Sequence, residues 1–235
     1  MKKRNDSKIT MAALMMMAAM AMTSCASSKK INGDSNVSKD SEMGKNEEDL
    51  DNSYLVLSDT QQDIVKKNNA FALRLFNKVT DMESKVISPM SVSYLMGMLA
   101  NGADGITQQE ILKAIGCEGV SVSDLNELYK AMLLTANKQD KQTTVNIANY
   151  IAVNKNFKLN KDFSQQVSDG YQAGIESLDF TSSKSTDRIN GWCKEKTNGM
   201  IPRIIDQVSA DAVSYLMNAI YFKGTWQNKF NAKDT

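Results

Sequence analysis

The sequence predicts an α+β protein in which a helical amino-terminal half packs on part of a β-sheet. Three observations lead to this fold class. Apolar residues recur with the 3.6-residue period of helices between residues 61 and 136, and they alternate with the two-residue period of strands from residue 143. β-Branched and aromatic residues dominate a further long segment, 212–222. Because the helices do not alternate strictly with the strands, the order is that of an α+β fold.

The composition is that of a globular protein and excludes several function classes. The 235 residues are 42% hydrophobic, which is enough apolar material for a sizeable core. Lys and Arg number 28 against 27 Asp and Glu, so no basic excess would attract nucleic acid. The absence of histidine removes Ser-His-Asp and Cys-His catalysis and the common zinc sites. We therefore expect no catalytic residues, no metal, no cofactor and no enzyme activity.

The first 24 residues have the pattern of an export signal. A basic segment, residues 2–4, precedes an apolar run from Met11 to Met22 that is shorter than the roughly 20 residues of a bilayer crossing. Two small residues then lead to Cys25, as in a lipobox, where the signal is cut and the cysteine is acylated. The pattern predicts a lipoprotein signal peptide over 1–24 and lipid attachment at Cys25. An ordinary signal peptide cut near the same place and an uncleaved anchor are the alternatives.

Residues 25–59 are predicted to be a flexible tether. The segment is rich in Ser, Asn, Asp, Glu and Lys and sustains neither hydrophobic period. We interpret its acidic second half, residues 47–51, as a solvated spacer and not as a binding site. Together with the signal, the tether predicts an exported, lipid-anchored protein of the cell envelope, on the periplasmic side or at the cell surface.

Four helices are predicted at the start of the folded part. They lie at about 61–79, 89–101, 107–115 and 124–136. Ser88 can cap the free amides of the second helix, and Pro89 suits its first turn. This helix is apolar on nearly all sides, which predicts a buried position, and Gly102 is suited to a left-handed cap at its end. Thr107 and Glu110 stand three apart as a capping box for the third helix.

Strands dominate the rest of the chain. The first runs from Thr143, with alternate residues on two faces. Further elements are a short helix at 162–168, a strand at 171–180, a helix at 186–197 and the long strand at 212–222. Cys117 and Cys193 have the spacing of neither a zinc site nor a disulfide framework, so we interpret both as packing residues.

Three stretches, in this order, resemble the serpin family of protease inhibitors. Residues 87–116 contain Ile-Ser-Pro-Met-Ser-Val-Ser, an apolar helix and an Ala-x-Gly-x-Thr junction, which look like the family's second and third helices. Residues 189–201 are similar to the helix that lies across the family's main sheet. Residues 218–226 read Asn-Ala-Ile-Tyr-Phe-Lys-Gly-Thr-Trp, which resembles the family's most recognisable strand ending. The resemblance assigns residues 60–235 to the amino-terminal part of a serpin domain.

The resemblance implies an inhibitor of serine or cysteine endopeptidases that acts once, as a suicide substrate. In the family, the nucleophile of the protease attacks an exposed loop, and the cut loop then inserts into the main sheet as an extra strand. Such a mechanism needs a sheet with a gap that an added strand can fill. The implied partners are the target protease and, through the lipid anchor, a membrane.

The same resemblance assigns the candidate site residues. Ser88, Pro89, Ser91 and Asn218 match the shutter, a polar cluster beneath the centre of the main sheet that governs its opening. Trp226 matches the breach, near the top of the sheet, where the loop first enters. Three of these residues also have a plain structural interpretation: Ser88 as a helix cap, Asn218 as the partner of a buried backbone group, and Trp226 as a core residue.

The length of the chain departs from the family pattern. A serpin domain continues beyond Phe222 with the strand on the far side of the gap and the reactive loop, and no hinge segment rich in Gly, Thr and Ala occurs in these residues. We therefore expect no reactive bond in this chain and no trapping by it alone. The alternative is a truncated or split gene product that persists as a non-inhibitory envelope lipoprotein. A hydrolase built on Ser27 and Lys30 is disfavoured because that pair lies in the tether.

Overall fold

The computed structural model describes residues 55–81, 84–136 and 142–226. Within these ranges the chain forms six helices and three strands. The helices are α1 (Asp59–Val79), α2 (Pro89–Asn101), α3 (Gly105–Ala114), α4 (Val122–Ala136), α5 (Lys161–Tyr171) and α6 (Ser183–Lys196), and the strands are β1 (Thr144–Asn154), β2 (Gly174–Leu178) and β3 (Ser214–Lys223). The predicted signal peptide and Cys25 lie outside the described residues.

Side-chain caps begin the first two helices. Ser58 and Gln61 form a capping box that starts α1 slightly before the predicted position: the Gln61 amide donates to Ser58 Oγ at 3.2 Å, and the Ser58 amide donates to Gln61 Oε1 at 3.1 Å. The cap predicted at Ser88 is confirmed, because the Ser91 amide donates to Ser88 Oγ at 3.2 Å. Pro89 follows as the first residue of α2.

Two predicted helix signals are wrong. The capping box at Thr107 and Glu110 does not start α3, which begins earlier, after Asp104, whose Oδ1 accepts from the Gly105 amide at 2.7 Å. Gly102 does not adopt a left-handed cap, since its φ is −96° and its amide donates to Leu99 O at 3.0 Å in a tightened last turn.

The sheet has the strand order β2-β1-β3. β1 runs parallel to β2, with Tyr150 opposite Gly174, and antiparallel to β3, with Asn149 opposite Asn218. The predicted strand at 171–180 is much shorter in the structure, because α5 continues to Tyr171 and the next residue is left-handed, with φ 49°. β3 begins two residues later than predicted.

Alternate side chains of β1 pack into two different cores, which confirms the alternation predicted for this strand. Ile151 and its neighbours on one face join the larger core with residues of α1, α2, α4 and α5. Tyr150 and Ala152 on the other face join a second core with α6. Leu99 is nevertheless 42% exposed in the described part of the chain, so α2 is less completely buried than predicted. Helices therefore cover both faces of this mixed sheet.

One further prediction concerns the two cysteines of the folded part. Cys117 and Cys193 are buried free thiols, as expected for packing residues. None of the helices in the described ranges combines the length and the hydropathy that a bilayer crossing would need.

Candidate functional site at the edge of the sheet

β3 offers one edge for an additional strand. Its residues 214–223 pair with β1 along one side, and within the described ranges no strand lies along the other side. Ala219, near its middle, is only 5% exposed. An unpaired strand edge presents amide and carbonyl groups to which another extended segment can bind.

A row of polar side chains crosses the sheet at the centre of β3. The side-chain amide of Asn218 donates to Asn149 Oδ1 at 2.8 Å. The amide of Asn149, a residue that is 3% exposed, donates in turn to the backbone carbonyl of Tyr171 at 2.7 Å. Asn149 Nδ2 donates to the Tyr171 carbonyl, so Asn149 presents its Oδ1 to Asn218, and Asn218 must present its Nδ2 in return. The orientation of both asparagine side chains is therefore fixed.

This orientation leaves one buried acceptor without a partner. Asn218 Oδ1 is out of contact with solvent and accepts no hydrogen bond from the described residues. A buried polar atom in this state costs about 1–3 kcal/mol relative to a satisfied one. The site can therefore accept one hydrogen bond from a donor that reaches the centre of β3.

The two candidate serines bind each other at the start of α2. Ser91 Oγ donates to Ser88 Oγ at 2.9 Å, and Pro89 between them is buried. α2 packs against β3. Within the described residues, however, no hydrogen bond joins either serine to Asn218. The structure thus supports the cap interpretation of Ser88, and the shutter role of all four residues stays a prediction.

Trp226 follows β3 closely and is 69% exposed in the described part of the chain. The interpretation of this residue as part of the core does not hold there. Its assignment to the breach stays a prediction.

α6 and the connector that follows it, residues 197–213, cover the other face of the sheet. The side-chain amide of Asn190 on α6 makes two hydrogen bonds to the connector. Its Nδ2 donates to Ile205 O at 2.9 Å, and its Oδ1 accepts from the Ile204 amide at 2.9 Å. The Ser209 amide donates to Tyr215 Oη on β3 at 2.9 Å. The connector is therefore bonded both to α6 and to the strand whose edge is open.

A salt bridge joins α6 to β2, the edge strand on the opposite side of β1 from β3. Arg188 on α6 donates from Nη2 to Glu176 Oε2 at 2.8 Å and from Nε to Oε1 at 3.2 Å, and Tyr150 Oη donates to Oε2 at 2.8 Å. Partial burial raises the pKa of Glu176, but these bonds outweigh the effect, so the pKa lies below its ordinary value. Burial and the carboxylate together raise the pKa of Tyr150.

Sequence reasoning missed Asn149, Glu176 and Arg188. Asn149 carried a signal, since it occupies a position on β1 between Ile147 and Ile151 where the alternation calls for an apolar residue. Glu176 and Arg188 carried none, because charged residues on an edge strand and on a helix are most often solvated.

Comparison with known proteins identifies the family. A sequence model described as "Serpin (serine protease inhibitor)" matches residues 66–235. The chain is 31% identical over 165 residues to "Serine protease inhibitor 42Dd" of Drosophila melanogaster (69% of this chain, 44% of the relative) and 33% identical over 175 residues to "Iripin-1" of Ixodes ricinus (72% and 45%). The chain thus spans about half the length of the curated relatives it matches.

A solved structure shows the same fold. The thermophilic serpin Tengpin in its latent state aligns with a TM-score of 0.68 at 33% identity, over 76% of this chain and 48% of that one. The fold class and the resemblance predicted from three motifs are both confirmed. Since the family match covers well over half of its residues, the chain belongs to the serpin family.

Proposed function

We propose that the protein inhibits serine proteases and that β3 accepts the protease-cleaved segment of the inhibitor's own chain as an added strand. One relative and the family model support the first part, since the relative is named a serine protease inhibitor and the family carries that description. The protein would act as a single-use trap and not as an enzyme.

The open edge of β3 is the observation that carries the proposal. A strand added there would satisfy the exposed main-chain groups of β3 and bury more of its half-buried side chains. It would also bring a donor within reach of Asn218 Oδ1, the buried acceptor that lacks a partner among the described residues. On the resemblance to the serpin family, we assign Ser88, Pro89, Ser91 and Asn218 to the shutter of this site and Trp226 to its entrance.

A lipid on Cys25 would place the inhibitor at the cell envelope. The signal pattern of residues 1–24 and the polar tether after it support this placement. The target would then be a protease that meets the envelope from outside the cytoplasm.

A covalent complex tests the proposal. The gene product is expressed from residue 26 to its natural stop codon and incubated with trypsin, chymotrypsin, elastase and subtilisin, and with papain as a cysteine protease. We expect at least one serine protease to form a complex that survives boiling in detergent, and the same protease blocked at its serine to form none.

Three outcomes decide between the readings. A complex with papain alone would shift the target class to cysteine proteases. Cleavage without a complex, or no reaction with the whole panel, would contradict the proposal and favour a non-inhibitory envelope lipoprotein. In the expected case, the cleaved inhibitor also melts at a higher temperature than the intact one, because the inserted strand adds ladder bonds and burial.

A further inference from the structure

We infer that Glu176, Arg188 and Tyr150 form a clasp that holds α6 closed on the sheet and thereby slows strand addition at β3; the second half of this inference rests on the proposed function. The three residues belong to three different elements: β2, α6 and β1. We refer to them below as the clasp.

The clasp is a fork of charge-assisted hydrogen bonds. Both carboxylate oxygens of Glu176 accept from the guanidinium of Arg188, at 2.8 and 3.2 Å, and one of them also accepts from Tyr150 at 2.8 Å. Two parallel bonds between a guanidinium and a carboxylate fix orientation as well as distance. A lysine in place of Arg188 would keep the charge and lose the fork.

Aromatic contacts continue the clasp into the second core. The guanidinium carbon of Arg188 lies 5.6 Å from the ring centroid of Tyr150, within the range of a cation–π contact. The Tyr150 ring stacks on Trp192 of α6 at 5.1 Å, with 19° between the ring planes. Two residues of α6, one turn apart, are therefore bound to one tyrosine of the central strand.

The position of α6 links the clasp to the edge of β3. α6 and the connector pack on the same face as Tyr215 of β3, which accepts a hydrogen bond from Ser209. Side chains of an added strand alternate between the two faces of the sheet, so half of them would need room under this layer. Protein interiors are close-packed, and the layer must shift to admit them. A shift of α6 across the sheet would pull Arg188 away from Glu176, which lies on the far edge strand.

The ion pair of the clasp lies at the surface, and the whole clasp lies away from the larger core. The side chains of Glu176 and Arg188 are 36% and 44% exposed. Breaking it should therefore loosen α6 without unfolding the helices on the other face. Loss of an exposed ion pair together with one cation–π contact should accelerate the opening of α6 by about 3- to 10-fold.

Hydrogen exchange and complex formation test the inference on the gene product expressed from residue 26 to its natural stop codon. Glu176→Gln removes the charge and keeps the shape. Asp63→Asn, in the pair with Lys67 on α1 (2.8 Å), is the matched control. We expect amides of residues 183–196 to exchange about 3- to 10-fold faster in Glu176→Gln, and amides of α1 to stay unchanged. Arg188→Lys should give an intermediate rate.

The rate of covalent complex formation with the reactive protease is the second readout. We expect Glu176→Gln to raise it by a factor similar to that for exchange, and Asp63→Asn to leave it unchanged. Unchanged exchange of α6 in Glu176→Gln, or equal changes in both variants, would overturn the clasp. Faster exchange with an unchanged rate of complex formation would overturn its link to strand addition. Absence of any complex with the unmodified protein would instead count against the proposed function, and exchange would still decide the clasp.

Discussion

Asn149 and Asn218 lie directly opposite each other on β1 and β3, and the side-chain amide of Asn218 donates to Oδ1 of Asn149 at 2.8 Å. The pair lies on the face of the sheet that carries the larger core, where Ile151 and Leu216 pack. Two opposed amides in an apolar layer stabilise the structure only while every donor has an acceptor.

Asn149→Ala should lower the free energy of unfolding by about 1–3 kcal/mol, because it leaves the Asn218 amide and the Tyr171 carbonyl buried without their partner. Urea unfolding measures the change. Asn146→Ala is the control: Asn146 lies on the same strand, is less buried, and donates to Lys196 O at 3.2 Å. Equal losses in the two variants would show that the Asn149 network adds nothing.

Gly97→Ala and Gly191→Ala should change stability in opposite directions. A Cβ at Gly97 on α2 would overlap the hydroxyl of Tyr171 and lie 3.0 Å from the Tyr129 ring, so we expect a loss of about 1–3 kcal/mol. A Cβ at Gly191 on α6 meets no atom within 4 Å, so alanine should gain about 0.5–1 kcal/mol. Denaturant midpoints of the two variants give the signs, and a stabilising Gly97→Ala would contradict the packing described.

Asp179 should titrate well below a free aspartate. Hydrogen bonds from Lys155 (2.8 Å) and Thr181 (2.6 Å) lower the pKa of Asp179 from 3.8 to about 2. Because the folded pKa lies below the unfolded one, the stabilisation is present above about pH 4 and is lost as the pH falls towards 2.

A carboxyl NMR titration measures this pKa. Lys155→Met should raise it towards the ordinary value, whereas Lys158→Met, which removes the same charge nearby, should leave it low. An ordinary pKa in the unmodified protein would show that the bonds of Asp179 do not persist in solution.

Neither buried thiol should react in the folded protein. Burial raises the pKa of Cys193 to about 11 and also raises that of Cys117, and only the thiolate attacks a disulfide reagent. In a Cys25→Ala variant at pH 8, we expect an aromatic disulfide to label neither Cys117 nor Cys193 before unfolding and both of them in guanidinium. Rapid labelling of the folded protein would mean that one cysteine reaches solvent.

Cys25→Ala should abolish lipid attachment. Cells fed an alkyne fatty acid should label the unmodified protein, and the labelled protein should sediment with membranes. Cys117→Ala, which removes a buried thiol, should keep the label. If both variants keep the label, the lipid is attached to another residue. If the unmodified protein carries no label, an ordinary signal peptide is favoured.

Capping residues and the spacing of apolar residues predict much of the fold from the sequence. The Ser88 cap and the two-sided alternation of β1 follow from residue type and spacing alone, and the structure confirms both. Thr107 misled the prediction because Asp104, a few residues earlier, caps as well and lets α3 start sooner. The predicted strand at 171–180 begins at Tyr171, yet this residue ends α5 in the structure.

The site could be predicted only in part. Asn218 was identified through family resemblance, but its bond to Asn149 depends on how β1 and β3 align, and distant strands are aligned by tertiary packing. The contact of Arg188 with Glu176 joins a helix to a strand that is not its neighbour in the sheet. No spacing in the sequence specifies such a contact.

The opposed asparagines also select one alignment of β1 and β3 among those that the apolar pattern allows. A slip of two residues would keep every side chain on its own face of the sheet. It would, however, set Asn218 against Ile147 or Ile151. The side-chain amides of Asn149 and Asn218 would then lie among apolar side chains without each other as partners. The amide pair thus fixes the register of β1 against β3, so that a newly synthesised chain pairs these two distant segments in one alignment.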